Sequence, residues 1–266
     1  MPRLAANVSM LFTELPLLAR FGAAARAGFE AVELQFPYGE RAAELRAALD
    51  AAGLPLVLHN LPAGDWAGGE RGIACHPGRA TEFRDGVARA IDYARVLGVR
   101  QLNCLAGVMP AGVSQAQAQA ALVANLRFAA AELDAAGLRL LVEPINRFDV
   151  PGFFLHRTAQ ALALLDEVGA PNAFVQYDVY HAQRSEGELA ATLTRHLARI
   201  GHLQIADNPG RHEPGSGEID YRFLLAHLDR IGYRGWVGCE YLPAGRTEDG
   251  LGWRAALMPA PGGADR

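Results

Sequence analysis

The chain alternates between strand-like and helix-like segments from end to end, and this alternation constrains the fold more than any single motif. Eight short apolar runs, rich in β-branched or aromatic residues, are typical of buried strands: LAANVSM, EAVELQF, LPLVLHN, RQLNCLA, RLLVEPI, AFVQYDV, GHLQIAD and GWVGCEY. Ala-, Leu- and Arg-rich stretches with helical spacing separate these runs. The pattern predicts a parallel sheet, and eight units favour a closed (β/α)8 TIM barrel over an open sheet. We expect one α/β domain over residues 1–251 and a flexible tail over 252–266.

Residues typical of helix caps flank several of the helical stretches. Ser114 is a plausible N-cap for the helix after it, because its hydroxyl oxygen can accept a backbone N–H. Six glycines stand where helices should end, as C-terminal caps do: Gly28, Gly53, Gly98, Gly137, Gly169 and Gly232. No GxGxxG motif follows the first strand, which disfavours a dinucleotide-binding fold.

Four polar side chains close four successive strand-like runs. They are Glu143, Asp178, Gln204 and Glu240. The carboxyl ends of all strands in a parallel barrel open onto one face, where active sites are built. Oxygen ligands of this kind suit Mg²⁺, or alternatively Mn²⁺, better than zinc. The sequence therefore predicts a divalent-metal site made of these four residues, with carboxylates available for proton transfer.

Composition excludes several classes of function. All 25 basic residues other than histidine are arginines, so there is no lysine for a Schiff base or a P-loop. The net charge of −4 comes without a basic patch, which argues against a nucleic-acid partner. No apolar run approaches the roughly 18 residues that would span a membrane. We expect a cytoplasmic protein with no membrane partner.

Candidates for binding a substrate lie near the same ends of the strands. His59 ends the third run, and His181 follows Asp178 by three residues. Arg71, Arg184 and Arg211 stand in the loops above, and an anionic substrate would need one of these arginines because no lysine is present. Three further strand-end residues are candidates for supporting the site: Asn7, Glu33 and Asn103.

Longer motifs carry a resemblance to a known family. They are ANVSMLF, HNLPAGDWAGGERGIAC, EPIN, QYDVYHAQRSEGEL, GHLQIADNPGRHEPGSGEI and GWVGCEY. The chain resembles the hydroxypyruvate isomerase family, within the xylose-isomerase-like barrels that include ketose 3-epimerases. The resemblance covers nearly the whole chain. It implies an enzyme of glyoxylate and carbohydrate metabolism.

The resemblance also implies roles for the strand-end residues. Glu143, Asp178, Gln204 and Glu240 become the metal ligands, and Glu143 and Glu240 become the proton donor and acceptor. His59, His181, Arg71 and Arg211 become the substrate-binding candidates. Gln204 stands where the related epimerases have histidine, and a neutral amide is a weaker ligand.

The expected reaction interconverts hydroxypyruvate and 2-hydroxy-3-oxopropanoate (tartronate semialdehyde) through an enediolate. The substrate is a small 2-oxo acid, and the barrel could pair as a homo-oligomer. Three alternatives stay open at this point. They are an isomerase or epimerase for 2-oxotetronate or a related ketose, a metal-dependent nuclease, and a sugar-acid binding protein without catalysis. The nuclease is disfavoured because it would need more strand-end histidines and a basic groove.

Overall fold

Eight parallel strands form one sheet in this computed structural model, which describes residues 2–258. Their order in the sheet is β2-β1-β8-β7-β6-β5-β4-β3. The strands are β1 (Arg3–Asn7), β2 (Ala31–Glu33), β3 (His59–Asn60), β4 (Gln101–Cys104), β5 (Arg139–Val142), β6 (Ala173–Asp178), β7 (Ile200–Ile205) and β8 (Trp236–Cys239). The predicted α/β barrel is confirmed, since every strand pair is parallel and follows the order of the chain.

The seam between β2 and β3 closes the barrel with few regular ladder pairs. Val32 and Leu56 form an isolated parallel bridge. The Val57 amide donates to the Val32 carbonyl at 2.9 Å, and the Leu34 amide donates to the Leu58 carbonyl at 3.1 Å. These bonds join the two outermost strands of the sheet, so the barrel is closed at its weakest pairing.

Helices follow the strands and cover the outside of the barrel. They are α1 (Leu17–Arg26), α2 (Ala42–Ala52), α3 (Ala80–Leu97), α4 (Gln115–Ala135), α5 (Thr158–Val168), α6 (Val179–Ser185), α7 (Leu189–His196), α8 (Tyr221–Arg230), α9 (Thr247–Gly250) and α10 (Trp253–Leu257). The Ser114 hydroxyl accepts the Gln117 amide in a capping box at the start of α4, which confirms the predicted N-cap. All six predicted terminal glycines have positive φ, as helix C-termini require.

The two sides of the strands differ sharply in polarity. Helix residues such as Phe21, Leu45 and Leu49 are fully buried and belong to one apolar core that includes the outward-facing Val32 and Leu102. The interior of the barrel instead carries buried polar side chains at the carboxyl ends of the strands. Buried polar groups are costly unless they are hydrogen-bonded, and most of the donors and acceptors here have partners. The apolar layer holds the barrel closed and leaves its interior for polar chemistry.

The segment after β8 packs back onto the barrel. Residues 253–257 form helix α10, and the indole N–H of buried Trp253 donates to the Tyr241 hydroxyl at 3.2 Å. The first part of the tail predicted as flexible is therefore helical, and residues 259–266 lie outside the described residues. Within residues 2–258, no helix is long and apolar enough to cross a membrane.

Candidate active site

A cavity of about 510 Å³ opens at the carboxyl ends of the strands. Its volume falls in the range of small-molecule sites, about 300–1,000 Å³. Most of the predicted site residues line this cavity. Two of the four predicted metal ligands, Asp178 and Gln204, are buried beneath its floor. The lining includes Gln35, Asn60, Trp66, Arg71, Glu143, Tyr180, His181, Arg184, Arg211 and Glu240.

Glu240 lies immediately after β8 and is 4% exposed. Its Oε1 accepts from the side-chain amides of Asn7 at 2.9 Å and Gln35 at 2.7 Å. Its Oε2 accepts from the Arg211 guanidinium at 2.7 Å. Both oxygens are therefore held, one by amides and one by a cation.

Glu143 lies immediately after β5, across the cavity floor. Its Oε2 accepts from Asn103 Nδ2 at 2.9 Å and from Gln176 Nε2 at 3.0 Å. Its Oε1 lies 3.9 Å from His181 Nε2. One oxygen of Glu143 is thus fixed, while the other faces the histidine and the cavity.

The electrostatics of the floor keep the two glutamates from ionising together. Burial, followed by the negative charges of Glu240 and Asp178, raises the pKa of Glu143 well above its ordinary value. Burial also raises the pKa of Glu240 to about 7, against the opposing effect of Arg211. Environments that hold one carboxyl protonated and another near neutrality produce an acid and a base at physiological pH.

His181 is neutral, and its hydrogen bonds fix the position of its proton. Burial, followed by the charges of Arg211 and Arg184, lowers its pKa well below the ordinary value. The Asn146 carbonyl oxygen accepts two backbone amides, so its amide nitrogen faces His181 Nδ1 at 2.7 Å and donates to it. The proton therefore sits on Nε2, which lies 3.6 Å from Asp178 Oδ2.

Arg211 reaches the floor from the loop after β7. Its backbone is left-handed, with φ of 58°. The buried Asp207 carboxylate organises this loop by accepting the backbone amides of Asn208, Gly215 and Ile219. The Arg211 guanidinium also lies 3.4 Å from Asp178 Oδ2, and its buried Nε has no partner among the described residues. A bound oxygen could accept from that Nε.

The other predicted arginines stand on the rim of the cavity. Arg71 stacks over the Trp66 ring at 4.2 Å and donates to the backbone carbonyls of Trp66 and Glu70. Arg184 pairs with Asp149 and donates to the Tyr180 hydroxyl. Two guanidinium groups therefore stand at the mouth, and that of Arg184 is paired with a carboxylate.

His59 is not brought to the cavity. Its ring lies against Tyr38, at 6.0 Å between centroids, and burial lowers its pKa to about 4. Neighbouring Asn60 lines the cavity instead, because successive side chains of a strand point to opposite faces. The structure therefore does not bring His59 to the cavity, and Asn60 takes the inward position on this strand.

The predicted metal quartet offers fewer free oxygens than its residue types imply. Gln204 Oε1 accepts from Gln176 Nε2 at 2.6 Å, and Gln204 Nε2 donates to Glu33 Oε1 at 2.8 Å. Asp178 Oδ1 accepts the Tyr180 amide at 2.8 Å, which leaves Oδ2 toward the cavity. A buried group of Glu143, Asp178 and His181 has one ligand atom from each residue within 4.8 Å of the others and could hold a metal ion.

Sequence reasoning gave no role to several residues of the site. Gln35 and Gln176 hold the two glutamates, and Asn146 sets the His181 tautomer. Gln176 could have been found, since it lies two residues before Asp178 and shares its face of the strand. Gln35 and Asn146 lie in loops, where no periodicity fixes the direction of a side chain.

Comparison with known proteins agrees with this arrangement. Residues 21–257 match the family model described as xylose isomerase-like TIM barrel. The chain is 57% identical to a hydroxypyruvate isomerase of Escherichia coli, covering 95% of this chain and 98% of the relative. It is 51% identical to a 2-oxo-tetronate isomerase of Cupriavidus necator, covering 95% and 97%.

A solved structure gives the same architecture. A protein from Brucella melitensis, described as an AP endonuclease of family 2, superposes with a TM-score of 0.93. It is 44% identical, with 96% of this chain and 99% of that chain covered. The chain belongs to the hydroxypyruvate isomerase family of xylose isomerase-like TIM barrels.

Proposed function

We propose that this protein is an isomerase that interconverts hydroxypyruvate and 2-hydroxy-3-oxopropanoate. One observation carries the proposal: Glu143 and Glu240 are buried on one cavity floor, with their pKa values raised and a guanidinium beside Glu240. The identity to isomerases of small 2-oxo acids supports the choice of substrate.

The reaction moves a carbonyl between adjacent carbons, and it needs a base and an acid. In the proposal, the Glu240 carboxylate removes a proton from the hydroxymethyl carbon, and an enediolate forms. Protonated Glu143 returns a proton to the neighbouring carbon, while the hydroxyl proton passes to the former carbonyl oxygen. The raised pKa of Glu143 keeps it protonated for this step.

Two donors are placed to stabilise the enediolate oxygens. Arg211 retains a free Nε beside the cavity, and His181 presents its Nε2 proton toward the floor. Preorganised donors of this kind lower a barrier because they need no rearrangement as charge develops. On the rim, Arg71 or Arg184 would hold the substrate carboxylate.

A divalent cation, with Mg²⁺ preferred and Mn²⁺ as the alternative, would be held by Glu143 Oε1 and Asp178 Oδ2 beside His181, and it would take the place of the proton on Glu143. When bound, it would polarise the substrate carbonyl. We test this by titrating Mn²⁺ into the protein and following its paramagnetic resonance signal. Asp178→Asn should abolish binding, whereas Asp149→Asn on the rim should not; equal binding by both variants would remove the cation from the proposal.

The 2-oxotetronate isomerase alternative has its own support in the 51% identical relative. We propose to measure kcat/KM for hydroxypyruvate, 2-oxotetronate and ketoses of five and six carbons. A clear preference for hydroxypyruvate is expected. A higher value for 2-oxotetronate would replace the substrate, and ligand binding without turnover would favour the sugar-acid binding protein.

Three further expectations stay predictions. They are the cytoplasmic location, the homo-oligomer and the role of Gln204 as a metal ligand. The first two concern the cell and the assembly, and the third is at odds with the two hydrogen bonds that the Gln204 amide already makes.

A further inference from the structure

A third buried glutamate lies beneath the site and takes no part in the proposed chemistry. Glu33 ends β2, is 1% exposed and does not line the cavity. Its carboxylate contacts three donors. Oε1 accepts from Asn7 Nδ2 at 2.9 Å and from Gln204 Nε2 at 2.8 Å, and Oε2 lies 2.7 Å from His202 Nε2. A buried carboxylate this well satisfied holds its neighbours in one arrangement.

One branch of contacts leads from Glu33 to Glu240. The amide nitrogen of Asn7 has two hydrogens, and it lies 2.9 Å from both Glu33 Oε1 and Glu240 Oε1. The Asn7 carbonyl oxygen accepts the Ser9 amide at 3.0 Å, which fixes the orientation of the amide. Asn7 is therefore a bridge between the two carboxylates.

A second branch leads from Glu33 to Glu143. Gln204 donates to Glu33 and accepts from Gln176, and Gln176 donates to Glu143 Oε2 at 3.0 Å. Both polar atoms of the Gln204 side chain take part in this series of hydrogen bonds. The Glu33 carboxylate thus connects to both proposed acid–base residues, which follow β5 and β8.

A glycine in β8 leaves space for the Glu33 carboxylate. A Cβ on Gly238 would lie 2.3 Å from Glu33 Oε2, closer than any side chain tolerates. Gly238 is paired with Gln204 in the β7–β8 ladder. The absence of a side chain at this position lets the Glu33 carboxylate lie over β8.

From these contacts we infer that Glu33 is a positioning residue, which fixes the orientation of Glu240 through Asn7 and of Glu143 through Gln204 and Gln176. In this arrangement Gln204 is a hydrogen-bonded spacer between Glu33 and Gln176. The inference rests on the proposed function, since it assigns Glu33 a role in aligning the two glutamates of that reaction.

The test compares Glu33→Met, which removes every acceptor, with Glu33→Gln, which keeps an acceptor for Asn7 and Gln204. Misalignment of reacting groups can cost about 100-fold in rate. We expect Glu33→Met to lower kcat about 50-fold with little change in KM, and Glu33→Gln to recover most of that loss. Leu45→Ala, in the outer apolar core, should lower the melting temperature and leave kcat unchanged.

A double-mutant cycle adds a readout that a general loss of stability would not move. Because Glu33 acts on Glu240 through Asn7, Glu33→Met combined with Asn7→Ala should cost much less than the product of the two single losses. Multiplicative losses, or a folded Glu33→Met variant with wild-type kcat, would overturn the inference. If the wild-type protein turns over none of the 2-oxo acids, it is the proposed function that fails.

Discussion

The two halves of the barrel contribute different chemistry to one site. Strands β5–β8 carry the groups that can exchange protons or bind cations, Glu143, Asp178 and Glu240, and the loop after β7 supplies Arg211. Strands β1–β4 supply mainly amides that hold these groups, among them Asn7 and Asn103. The halves also differ in pairing, since β6 and β7 have six residues each whereas β2 has three and β3 has two.

The groups proposed to react therefore belong to the β5–β8 half, and most of the groups that orient them belong to the β1–β4 half. Substitution of a proton-transfer residue removes a step of the reaction, whereas substitution of a supporting amide leaves every step in place with poorer alignment. We therefore expect losses of activity to fall in magnitude from the second half of the barrel to the first.

The largest loss of activity is expected from substitutions in the β5–β8 half of the barrel. Glu143→Gln and Glu240→Gln each remove a proposed acid or base and should lower kcat at least about 1,000-fold, within the range seen for general acid–base residues. In heavy water, each variant should also lose exchange of the substrate's carbon-bound proton. Glu186→Gln, which changes a glutamate hydrogen-bonded to Thr158 outside the cavity, serves as the control. Wild-type exchange in either site variant would remove that glutamate from the mechanism.

The next largest effect is a change in the pH dependence of activity when the Arg211 guanidinium beside Glu240 is removed. Glu240 acts as a base only when deprotonated, so kcat/KM should rise with pH through about 7. Loss of the positive charge in Arg211→Gln should raise the pKa of Glu240 and move this rise to higher pH by about one unit or more. Arg184→Gln, whose guanidinium contacts Asp149, should leave the midpoint in place. An unmoved midpoint in Arg211→Gln would show that the profile reports another group.

A smaller effect is expected from the first half. Asn103→Leu removes one of the two amides on Glu143 Oε2. A hydrogen bond to a neutral group contributes about 0.5–1.5 kcal/mol, so kcat should fall by up to about tenfold. Asn125→Leu removes a buried amide on α4 that donates to the Ala74 carbonyl, and it should affect melting temperature but not kcat. A loss in Asn103→Leu as large as that in Glu143→Gln would erase the distinction between the halves.

The smallest effect is expected at β3, where two neighbouring residues can be compared. His59→Phe should change kcat/KM less than about twofold, because the ring faces away from the cavity. Asn60→Ala should raise KM measurably, since Asn60 lines the cavity and accepts from Asn103. Steady-state kinetics on both variants decides the matter, and a larger effect at His59 would contradict the assigned faces of the strand.

Much of this arrangement was accessible from sequence because strand ends in a parallel barrel converge by geometry. Glu143 and Glu240 follow the last residues of their strands and needed no tertiary information. The outward position of His59 could not be predicted, because a two-residue strand has too few alternations to reveal its inward face. The sequence could not predict that both polar atoms of the Gln204 side chain are hydrogen-bonded, since their partners, Gln176 and Glu33, come from two other strands. Arg211 was found as a loop cation, but its contact with Glu240 depends on the loop that Asp207 organises.

The sparse seam between β2 and β3 has a consequence for the motions of the barrel. Regions with few backbone pairs open locally at a lower free energy than the rest of a fold. The amides donated across this seam next to β2 and β3, those of Leu34 and Val57 among them, should exchange with solvent hydrogen sooner than the amides inside β6 and β7. Native-state hydrogen exchange measured at each amide should then show this seam opening before β6 and β7.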